Sequence, residues 1–374
     1  MPDDQTQEHR VLIDPYLDWA DAQPVPIVEG YSVDLLDVET KPWPRYGMEG
    51  AIVHLKARAD FTTLFLHKLP PGATSAPVRH MYEQLVYVLE GQGSTKIDGA
   101  DGRDIAFEWG PKSMFALPLN ARYQMFNGSG REPVVFAVSN FLPLVMNLFI
   151  NEDFIFNCEH EFPERLGPDG YFEGEGHKIP QPKGPGLWET NFVPDVSGFK
   201  LDANAARGPG STSIQFILGN GVMKAHSSAM PVGTYKKAHR HGPDFFIFNV
   251  TGSGYSLMWN DGEKDWVRID WRHGVVFAPP EMMYHQHFNT GPDPARYLAM
   301  NLGNRRHPFT AERKKQAKAI GVDVKEGGRQ IEYEDQDSRI HRLYLDELAK
   351  HGAPCLMGEF MDEQMLLDRM AETV

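Results

Sequence analysis

Four histidines lie in two short stretches of the second half of the chain, at a spacing that suits metal binding. One residue separates His239 from His241 in the run GTYKKAHRHGPDFFIFNVTG, and one residue separates His285 from His287 in GVVFAPPEMMYHQHFN. Residues two apart in a β-strand point to the same face, so each pair presents both imidazoles to one side. Two strands that bring imidazoles to one interior point make a metal site. The stretch from Gly233 to Asn289 therefore predicts a metal centre.

Short strands with alternating apolar residues must position these histidines. They begin at Ala51 with AIVHLKA, TTLFLHKL and QLVYVLEGQGSTKI, and turns that contain Gly or Pro separate them. This pattern is typical of an all-β sandwich or barrel. It ends near Leu148, resumes at Ser213 and continues to about Leu302. The intervening residues are rich in Gly and Pro, which predicts a long connector with little regular structure.

The two ends of the chain differ from these β regions. The first residues are rich in Pro and aromatic side chains, and they predict an irregular arm that lies over a neighbouring domain or subunit. Near the C-terminus, ERKKQAKAIG, RIHRLYLDELAKHG and MDEQMLLDRMAE predict helices, with Gly352 placed to end the second. The predicted organisation is an arm (1–50), a first barrel (51–148), a connector (149–205), a second barrel (206–303) and a helical tail (304–374).

The two β regions are copies of one another. PPGATSAPVRHMYEQLVYVLEGQGST aligns without a gap with PVGTYKKAHRHGPDFFIFNVTGSGYS, and FALPLNARYQMFNGSG aligns with FAPPEMMYHQHFNTGP. The alignment pairs Gly72 with Gly233, Gly91 with Gly252, Gly93 with Gly254, His80 with His241, Pro118 with Pro280, Tyr123 with His285 and Asn127 with Asn289. The chain is therefore one β-barrel unit, duplicated.

The repeated unit resembles a cupin, and the whole chain resembles a bicupin. The first cupin motif is a glycine, five residues, His-x-His, three or four residues, a glutamate, six residues and a glycine; it fits from Gly233 to Gly252. The second is a glycine, five residues, Pro-x-Gly, two residues, His, three residues and an asparagine; it fits from Gly274 to Asn289. The resemblance covers residues 51–145 and 206–303. It implies an all-β fold of tandem cupin (double-stranded β-helix, or jelly-roll) barrels, with an N-terminal arm and a helical C-terminal tail outside them.

The resemblance also implies the metal ligands, which are His239, His241 and His285. The cupin glutamate is missing because Phe245 stands at its position, and Asp244, one position short, would point to the opposite face of a strand. A cupin with three histidines and no glutamate resembles the iron dioxygenases of the gentisate and salicylate type. The implied cofactor is therefore Fe(II), with Zn, Ni and Mn as alternatives.

The first repeat keeps too few ligands to hold a metal. Its corresponding positions are Val78, His80, Gln84 and Tyr123, so a single strong ligand remains. The first barrel is therefore expected to be structural. Bicupin gentisate dioxygenases carry their metal in the first barrel, whereas this chain would carry it in the second, where Met282 also replaces the turn glycine of the family.

These features predict a mononuclear Fe(II) dioxygenase. Its substrate would be a small molecule that chelates the metal through two oxygens, such as a hydroxylated aromatic acid, a phenol or a diketone, and dioxygen would add and cleave a C–C bond. His287 and Tyr284 are the candidates to move protons, and a buried His287 with a structural role is an equal alternative. Two other functions stay open: a cupin isomerase, lyase or hydrolase that uses Zn, Ni or Mn as a Lewis acid, and a non-enzymatic binding bicupin.

Further residues are candidates to line the substrate pocket. Phe245 and Trp259 could form an aromatic wall, although interior aromatic residues also make plain core. Arg296 could bind a substrate carboxylate if it faces the cavity, or form a salt bridge at the rim. His226 precedes the first motif on an adjacent strand, where it could serve either structure or function. Lys236 and Lys237 are expected in solvent, although alternation would let one of them face the barrel mouth.

Composition argues against macromolecular and membrane partners, whereas the resemblance implies a small-molecule substrate and dioxygen. The 374 residues carry a net charge of −14, so neither nucleic acid nor an anionic membrane is an expected partner. No uncharged apolar run approaches a membrane span, and the N-terminus lacks the layout of a signal peptide. Two cysteines, Cys158 and Cys355, give no disulfide framework and no Cys-based zinc site, as expected for a cytoplasmic protein. The resemblance to bicupins implies a homo-oligomer, either a dimer or a tetramer.

Overall fold

The computed structural model describes residues 14–56, 61–99, 102, 104–181, 184–242, 246–303 and 321–372. The helices in these ranges are α1 (Pro15–Asp21), α2 (Leu142–Phe149), α3 (Glu152–Asn157), α4 (Ser338–His351) and α5 (Glu363–Glu372). The strands of the first half are β1 (Ile27–Gly30), β2 (Ser32–Asp34), β3 (Lys41–Trp43), β4 (Met48–Leu55), β5 (Thr63–Leu69), β6 (Gln84–Glu90), β7 (Gly93–Asp98), β8 (Ile105–Trp109), β9 (Met114–Leu117), β10 (Arg122–Asn127) and β11 (Val134–Asn140). Those of the second half are β12 (His177–Ile179), β13 (Leu187–Glu189), β14 (Phe192–Val193), β15 (Asp202–Ala203), β16 (Thr212–Ile217), β17 (Met223–Met230), β18 (Ala238–His239), β19 (Phe246–Thr251), β20 (Gly254–Trp259), β21 (Val267–Trp271), β22 (Val275–Phe277), β23 (Tyr284–Asn289), β24 (Ala295–Leu302) and β25 (Gln330–Ile331).

Each half of the chain folds as two sheets, and the strand order is the same in both halves. In the first half the large sheet contains β5-β11-β6-β9 and the small sheet is β10-β7-β8. In the second half the large sheet contains β17-β24-β19-β22 and the small sheet contains β21-β20-β23-β18. Rings of the small and large sheets meet in each interior, as Trp109 meets Phe136 and His287 meets Tyr297. The predicted all-β fold of tandem cupin barrels is confirmed.

Two glycines of each copy are required by the backbone of the hairpin they share. Gly91 and Gly252 have φ of 77° and 76°, in the left-handed region that glycine enters without steric cost. A Cβ on Gly254 would lie 1.9 Å from the carbonyl oxygen of Phe288, so the neighbouring strand leaves no room for a side chain. Gly93, the corresponding glycine of the first copy, is restricted in the same way by the strand beside it. These contacts explain why both glycines recur at the same spacing.

An asparagine closes each barrel unit in the same manner. The side-chain amide of Asn127 donates to the carbonyl oxygens of Leu69, Pro70 and Glu132. The amide of Asn289 donates to the corresponding carbonyl oxygens of Met230, Pro231 and Asp293. The motif asparagine is therefore a structural residue that ties the end of β10 or β23 to two neighbouring loops.

The arm and the connector are more regular than the sequence predicts, and they link the barrels. In the arm, β1 pairs with β4 of the first barrel, whereas β2 pairs with β22 of the second. In the connector, β14 pairs with β9 of the first barrel and β13 with β16 of the second. These strands are only two to four residues long, too short to show an alternating pattern in the sequence. They could not be predicted because they form by pairing with strands of the barrels.

The C-terminal tail forms two of the predicted helices, α4 and α5. Gly352 ends α4 in the left-handed conformation, with φ of 64°, as expected for a glycine at this position. Tyr344 of α4 is fully buried, and its hydroxyl donates to the carbonyl oxygen of Asn289 at 2.9 Å. The tail therefore packs on the second barrel. The predicted helix ERKKQAKAIG lies almost wholly outside the described residues, and none of the described helices is long and apolar enough to cross a membrane.

The two barrels meet through their large sheets and through one buried carboxylate. The ring of Tyr87 on β6 lies 5.3 Å from that of Phe248 on β19. Glu83, 3% exposed, accepts from the guanidinium of Arg165 at 3.0 Å and from the backbone N–H groups of Val222 and Met223 at 2.8 and 3.0 Å. A carboxylate of the first barrel therefore holds a loop of the second.

Replacing Glu83 by alanine is expected to lower the free energy of unfolding by about 3 kcal/mol, because it leaves a half-buried guanidinium and two backbone N–H groups without their acceptor. The measurement is urea unfolding followed by fluorescence. Glu90→Ala, at the exposed end of β6, the strand that Glu83 precedes, is the matched control and should change the value by less than about 0.5 kcal/mol. Equal stability of the two variants would contradict this role for Glu83.

Candidate metal centre

Three histidines from two strands and a loop converge inside the second barrel. His239 on β18 pairs directly with His285 on β23, and His241 lies two residues beyond β18. The ring centroids of His239 lie 5.4 Å from His241 and 4.3 Å from His285, and His241 lies 4.7 Å from His285. One nitrogen from each ring lies within 4.8 Å of the others. The structure therefore brings together the three histidines that the sequence predicts as ligands.

The hydrogen bonds of these rings fix which nitrogen is available. Nδ1 of His239 lies 3.3 Å from the carbonyl oxygen of Lys237, that of His241 lies 2.9 Å from Gly242, and that of His285 lies 3.2 Å from Met283. A carbonyl oxygen only accepts, so Nδ1 must carry the hydrogen in all three rings. Each Nε2 is then the unprotonated nitrogen, which carries the lone pair that binds a metal. This arrangement is typical of metal-binding histidines, whose other nitrogen donates to a fixed acceptor.

Burial keeps the three rings neutral. It lowers the pKa of His241 to about 4, and it lowers the pKa of His239 and His285 well below the ordinary value of 6.5. The neighbouring imidazoles and the positive charge of Arg207 lower the pKa of His239 further. Neutral imidazole is the form that binds a metal, so the donor set fits Fe(II), and also Zn, Ni or Mn, at neutral pH.

A strained turn holds two of these ligands. Met282 has φ of 59°, and its N–H donates to the carbonyl oxygen of His241 at 2.9 Å. The corresponding Asn120 of the first barrel has φ of 52° and donates to His80 at 3.0 Å. Asparagine tolerates this left-handed conformation, whereas methionine adopts it at a cost of about 1–2 kcal/mol. The turn therefore stores strain in the copy that keeps the histidines, next to the carbonyl of Met283 that orients His285.

His287 lies beside the three histidines and deeper in the barrel. Its ring is 5.6 Å from that of His285 and 6.5 Å from that of His239. Its Nδ1 lies 2.8 Å from the hydroxyl of Ser256, which accepts from the indole N–H of Trp271 at 2.8 Å. His287 is therefore a hydrogen-bonded residue of the site interior.

Lys236 was expected in solvent, but it is buried in this interior with 2% exposure. Its ammonium donates to the hydroxyl of Ser228, and to that of Tyr297 at 3.1 Å. The ring of Tyr297 lies 4.9 Å from that of His287. No carboxylate among the described residues forms an ion pair with Lys236. An uncompensated cation inside a barrel is costly, which makes Lys236 a functional candidate that the sequence did not reveal.

The charges around Tyr297 change the acidity of this pair. Burial raises the pKa of Tyr297, but the charge of Lys236, its hydrogen bond, the hydroxyl of Ser228 and the charge of Arg207 together bring it below the ordinary value of 10.0. Burial lowers the pKa of Lys236, and although Tyr297 opposes this, Arg207 reinforces it. Arg207 precedes β16 and reaches the site from a part of the chain that no cupin motif covers.

The first barrel, which lacks the metal-binding histidines, also has no counterpart of Lys236 or Tyr297. Sheet register places His67 opposite Phe136 in the first barrel, where the second has Ser228 opposite Tyr297. The gapless alignment places Ser75 at the position of Lys236. The copy without the metal ligands therefore also lacks the lysine–tyrosine pair.

Three of the predicted site residues lie on the outer face. Tyr284 precedes His285 on β23 and therefore points away from it; its ring stacks on Trp259 at 5.8 Å and lies under the guanidinium of Arg240. Neither Tyr284 nor Trp259 reaches the three histidines, so both predictions are corrected. Arg296 points away from the interior in the same way.

Arg296 fastens the connector rather than a substrate. Its guanidinium donates to the carbonyl oxygens of Val196 and Phe199 at 2.6 and 2.8 Å. The predicted substrate contact is therefore corrected. His226 lies on the same face of β17 as Ser228, with its ring 5.9 Å from that of Tyr297, so the structure does bring it to the site. Phe245 and Asp244 lie outside the described residues.

Hydrogen bonds occupy the corresponding positions of the first barrel. His80 contacts the carbonyl oxygen of Tyr82 through Nδ1 and the hydroxyl of Tyr123 through Nε2, at 2.7 and 3.3 Å. Tyr123 donates to the side-chain oxygen of Gln84 at 3.1 Å. The ring nitrogens of His80, the hydroxyl of Tyr123 and the side-chain oxygen of Gln84 therefore have protein partners, whereas Nε2 of Gln84 has none among the described residues.

A cleft of about 1000 Å³ opens at the mouth of the first barrel. Its lining includes His80 and three arginines, Arg45, Arg79 and Arg122. Each of the three already contacts an acceptor: a carboxylate for Arg45 and Arg122, and a backbone carbonyl for Arg79. The donor set that suits a metal lies in the other barrel.

No protein-family model and no curated protein sequence matches this chain. Solved structures that match include a Trp-to-Phe variant of oxalate decarboxylase from Bacillus subtilis, with 12% identity, a TM-score of 0.49, and coverage of 80% of this chain and 83% of that chain. A deletion variant of the same enzyme matches with 13% identity, a TM-score of 0.48, and coverage of 85% and 84%. Similarity at this level says nothing about the metal or the reaction of this chain.

Proposed function

We propose that this chain is a metal-dependent enzyme whose single centre in the barrels is held by Nε2 of His239, His241 and His285, and that it is a mononuclear Fe(II) dioxygenase acting on a small chelating anion. The observation that carries the proposal is the anchoring of all three Nδ1 atoms on backbone carbonyls, which leaves three neutral donors for one ion. When bound, Fe(II) would supply Lewis acidity and open positions for the substrate and dioxygen.

The charges of this chain favour an anionic substrate. Three neutral imidazoles leave the charge of a divalent ion uncompensated, and Lys236 and Arg207 add positive charge on the same side of the barrel. A hydroxylated aromatic acid, a phenolate or the enolate of a diketone would offset these charges, whereas a neutral or cationic molecule would not. The substrate class predicted from the sequence therefore also suits Lys236 and Arg207, which the sequence did not identify as residues of the site.

Tyr297 is the group best placed to hold or move a proton. Its hydroxyl contacts the ammonium of Lys236, and its lowered pKa lets it give up a proton more readily than an ordinary tyrosine. His287, between Tyr297 and the three histidines, could pass the proton on. Lys236 would hold the tyrosinate in place and stabilise its charge.

The test is to load the purified chain with Fe(II) without oxygen, add members of the substrate class one at a time, and follow dioxygen uptake. We expect uptake with at least one chelating anion, and no uptake with the zinc-loaded protein, because Zn²⁺ has no redox chemistry. Iron that binds without any uptake across the class would overturn the dioxygenase assignment, and a chain that holds no iron would overturn the assignment of Fe(II) to this centre.

A second candidate function is a lyase or isomerase that uses Zn, Ni or Mn as a Lewis acid. The Lys236–Tyr297 pair favours it, since a buried acid–base pair beside a metal suits proton abstraction next to a carbonyl. This candidate predicts turnover without dioxygen and with a redox-inert ion. Product analysis under nitrogen with the zinc-loaded protein separates the two.

A further inference from the structure

Three metal-binding side chains converge in the C-terminal tail, well away from the barrel centre in the sequence. His341 lies on α4, Glu363 begins α5, and Cys355 lies in the segment between them. Oε1 of Glu363 lies 3.2 Å from Nε2 of His341 and 3.0 Å from Sγ of Cys355. One donor atom from each residue lies within 4.8 Å of the others. This separation suits donors that surround one ion.

The imidazole of this cluster is fixed from behind. The side chain of His341 is fully buried, and its Nδ1 lies 3.1 Å from the hydroxyl of Tyr235. That hydroxyl in turn accepts from the side-chain amide of Gln336 at 2.7 Å. A hydrogen-bonded partner on the far nitrogen sets the ring orientation of a metal-binding histidine. Nε2 of His341 is thereby directed at Cys355 and Glu363.

We propose that His341, Cys355 and Glu363 form a second metal site, selective for Zn²⁺ and structural in role. Thiolate, imidazole and carboxylate are the ligand types that Zn²⁺ prefers, and the mixed set suits it better than Mg²⁺ or Ca²⁺, which take oxygen ligands. The side chain of Glu363 is 23% exposed, so a water could complete four-coordination from the solvent side. This proposal departs from the expectation drawn from the sequence, which has two cysteines far apart and predicted no Cys-based zinc site.

The position of the cluster indicates what such an ion would do. It would join α4 to α5 across a segment whose backbone already binds the first cupin motif: the N–H of Leu356 donates to the carbonyl oxygen of Gly233 at 2.9 Å. Tyr235, which holds His341, is the neighbour of Lys236. The ion would therefore fasten the tail onto the stretch that leads into the barrel histidines. This site does not depend on the proposed enzymatic function.

Zinc binding at this cluster must release protons. Without an ion, the carboxylate of Glu363 accepts from the thiol of Cys355, and burial together with that carboxylate raises the pKa of the thiol to about 12. The ion binds the thiolate, so it has to displace the thiol proton, and affinity should strengthen as the pH rises. The cluster is thus a hydrogen-bonded contact without zinc and a cross-link with it.

The test uses Co²⁺ as a spectroscopic probe of the purified full chain. A thiolate bound to Co²⁺ gives a near-ultraviolet charge-transfer band, which a centre of three imidazoles cannot give. We expect the band in the wild type and in Cys158→Ser, the matched control, and its loss in Cys355→Ser. We also expect two Co²⁺ per chain in the wild type, and one each in Cys355→Ser and in His241→Ala.

Glu363→Gln tests the same site if Cys355→Ser does not fold, because glutamine keeps the size of the glutamate side chain and its ability to form hydrogen bonds. It should weaken binding at least tenfold while the band remains visible at saturating Co²⁺. A wild type without the band, or a band that survives in Cys355→Ser, would overturn the tail site. If His241→Ala loses the barrel ion but keeps the band, the tail site is supported independently of the dioxygenase assignment.

Discussion

Replacing His241 by alanine is expected to remove the barrel metal and abolish turnover, whereas the same change at His80 is expected to leave both intact. The two histidines occupy the same position of the two repeats. One nitrogen of His241 lies within 4.8 Å of a nitrogen of His239 and of His285, while Nε2 of His80 contacts a tyrosine hydroxyl. Only the first substitution removes a donor from a metal site.

The expected loss of metal affinity in His241→Ala is more than about 100-fold, the upper end of what is lost when only the hydrogen-bonding partner of a ligand is removed. Affinity is measured by chelator competition in the Cys355→Ser background, so that the tail cluster does not contribute. Folding of both variants is checked by circular dichroism. Unchanged affinity in folded His241→Ala, or equal losses in His241→Ala and His80→Ala, would contradict the assignment of the centre to the second barrel.

Removing the hydroxyl of Tyr297 is expected to lower kcat by about 10²–10⁴-fold, the range over which a positioned acid–base group acts. The Tyr297→Phe variant keeps the ring that packs against His287, so the loss should fall on kcat and on its pH dependence rather than on folding. Tyr284→Phe is the matched control. Its hydroxyl lies on the outer face, so its kcat should match the wild type.

The same pair can be tested without a substrate, by ultraviolet difference titration of tyrosinate. In the wild type one tyrosine should ionise below the ordinary value of 10.0, because the charges of Lys236 and Arg207 outweigh burial. That transition should vanish in Tyr297→Phe. In Lys236→Met the pKa of Tyr297 should rise by about 1–3, the effect of losing one nearby opposite charge. A low transition that survives in Tyr297→Phe would show that another tyrosine is responsible.

Features that depend on local spacing could be predicted from the sequence. Alternation with a period of two places His239 and His241 on one face, and the same rule places His285 with His287. The duplication followed from gapless spacing, and the glycines and asparagines that recur are those whose backbone contacts tolerate no substitute. Helix α4 and its end at Gly352 were also predictable, because apolar periodicity and a glycine in the left-handed conformation depend only on residues close together in the chain.

The other side chains that reach the site could be identified only from contacts between distant segments of the chain. Alternation in phase with the inward His239 would turn Lys237 inward and Lys236 outward. The structure shows the opposite, because three residues between Tyr235 and His239 lie opposite only two between Phe288 and His285. This extra residue shifts the alternation, so that Lys236 meets Tyr297 inside the barrel and Lys237 meets Glu332 of the tail. Tyr297 is 61 residues away in sequence, and Arg207 arrives from the end of the connector.

The tail cluster shows the same limit. Cys355 and His341 have no spacing of a known zinc motif, because their convergence depends on how α4 and α5 pack rather than on a repeat within either helix. Spacing along one strand fixes which side chains share a face, whereas contacts between distant segments depend on register and packing that the local pattern does not encode.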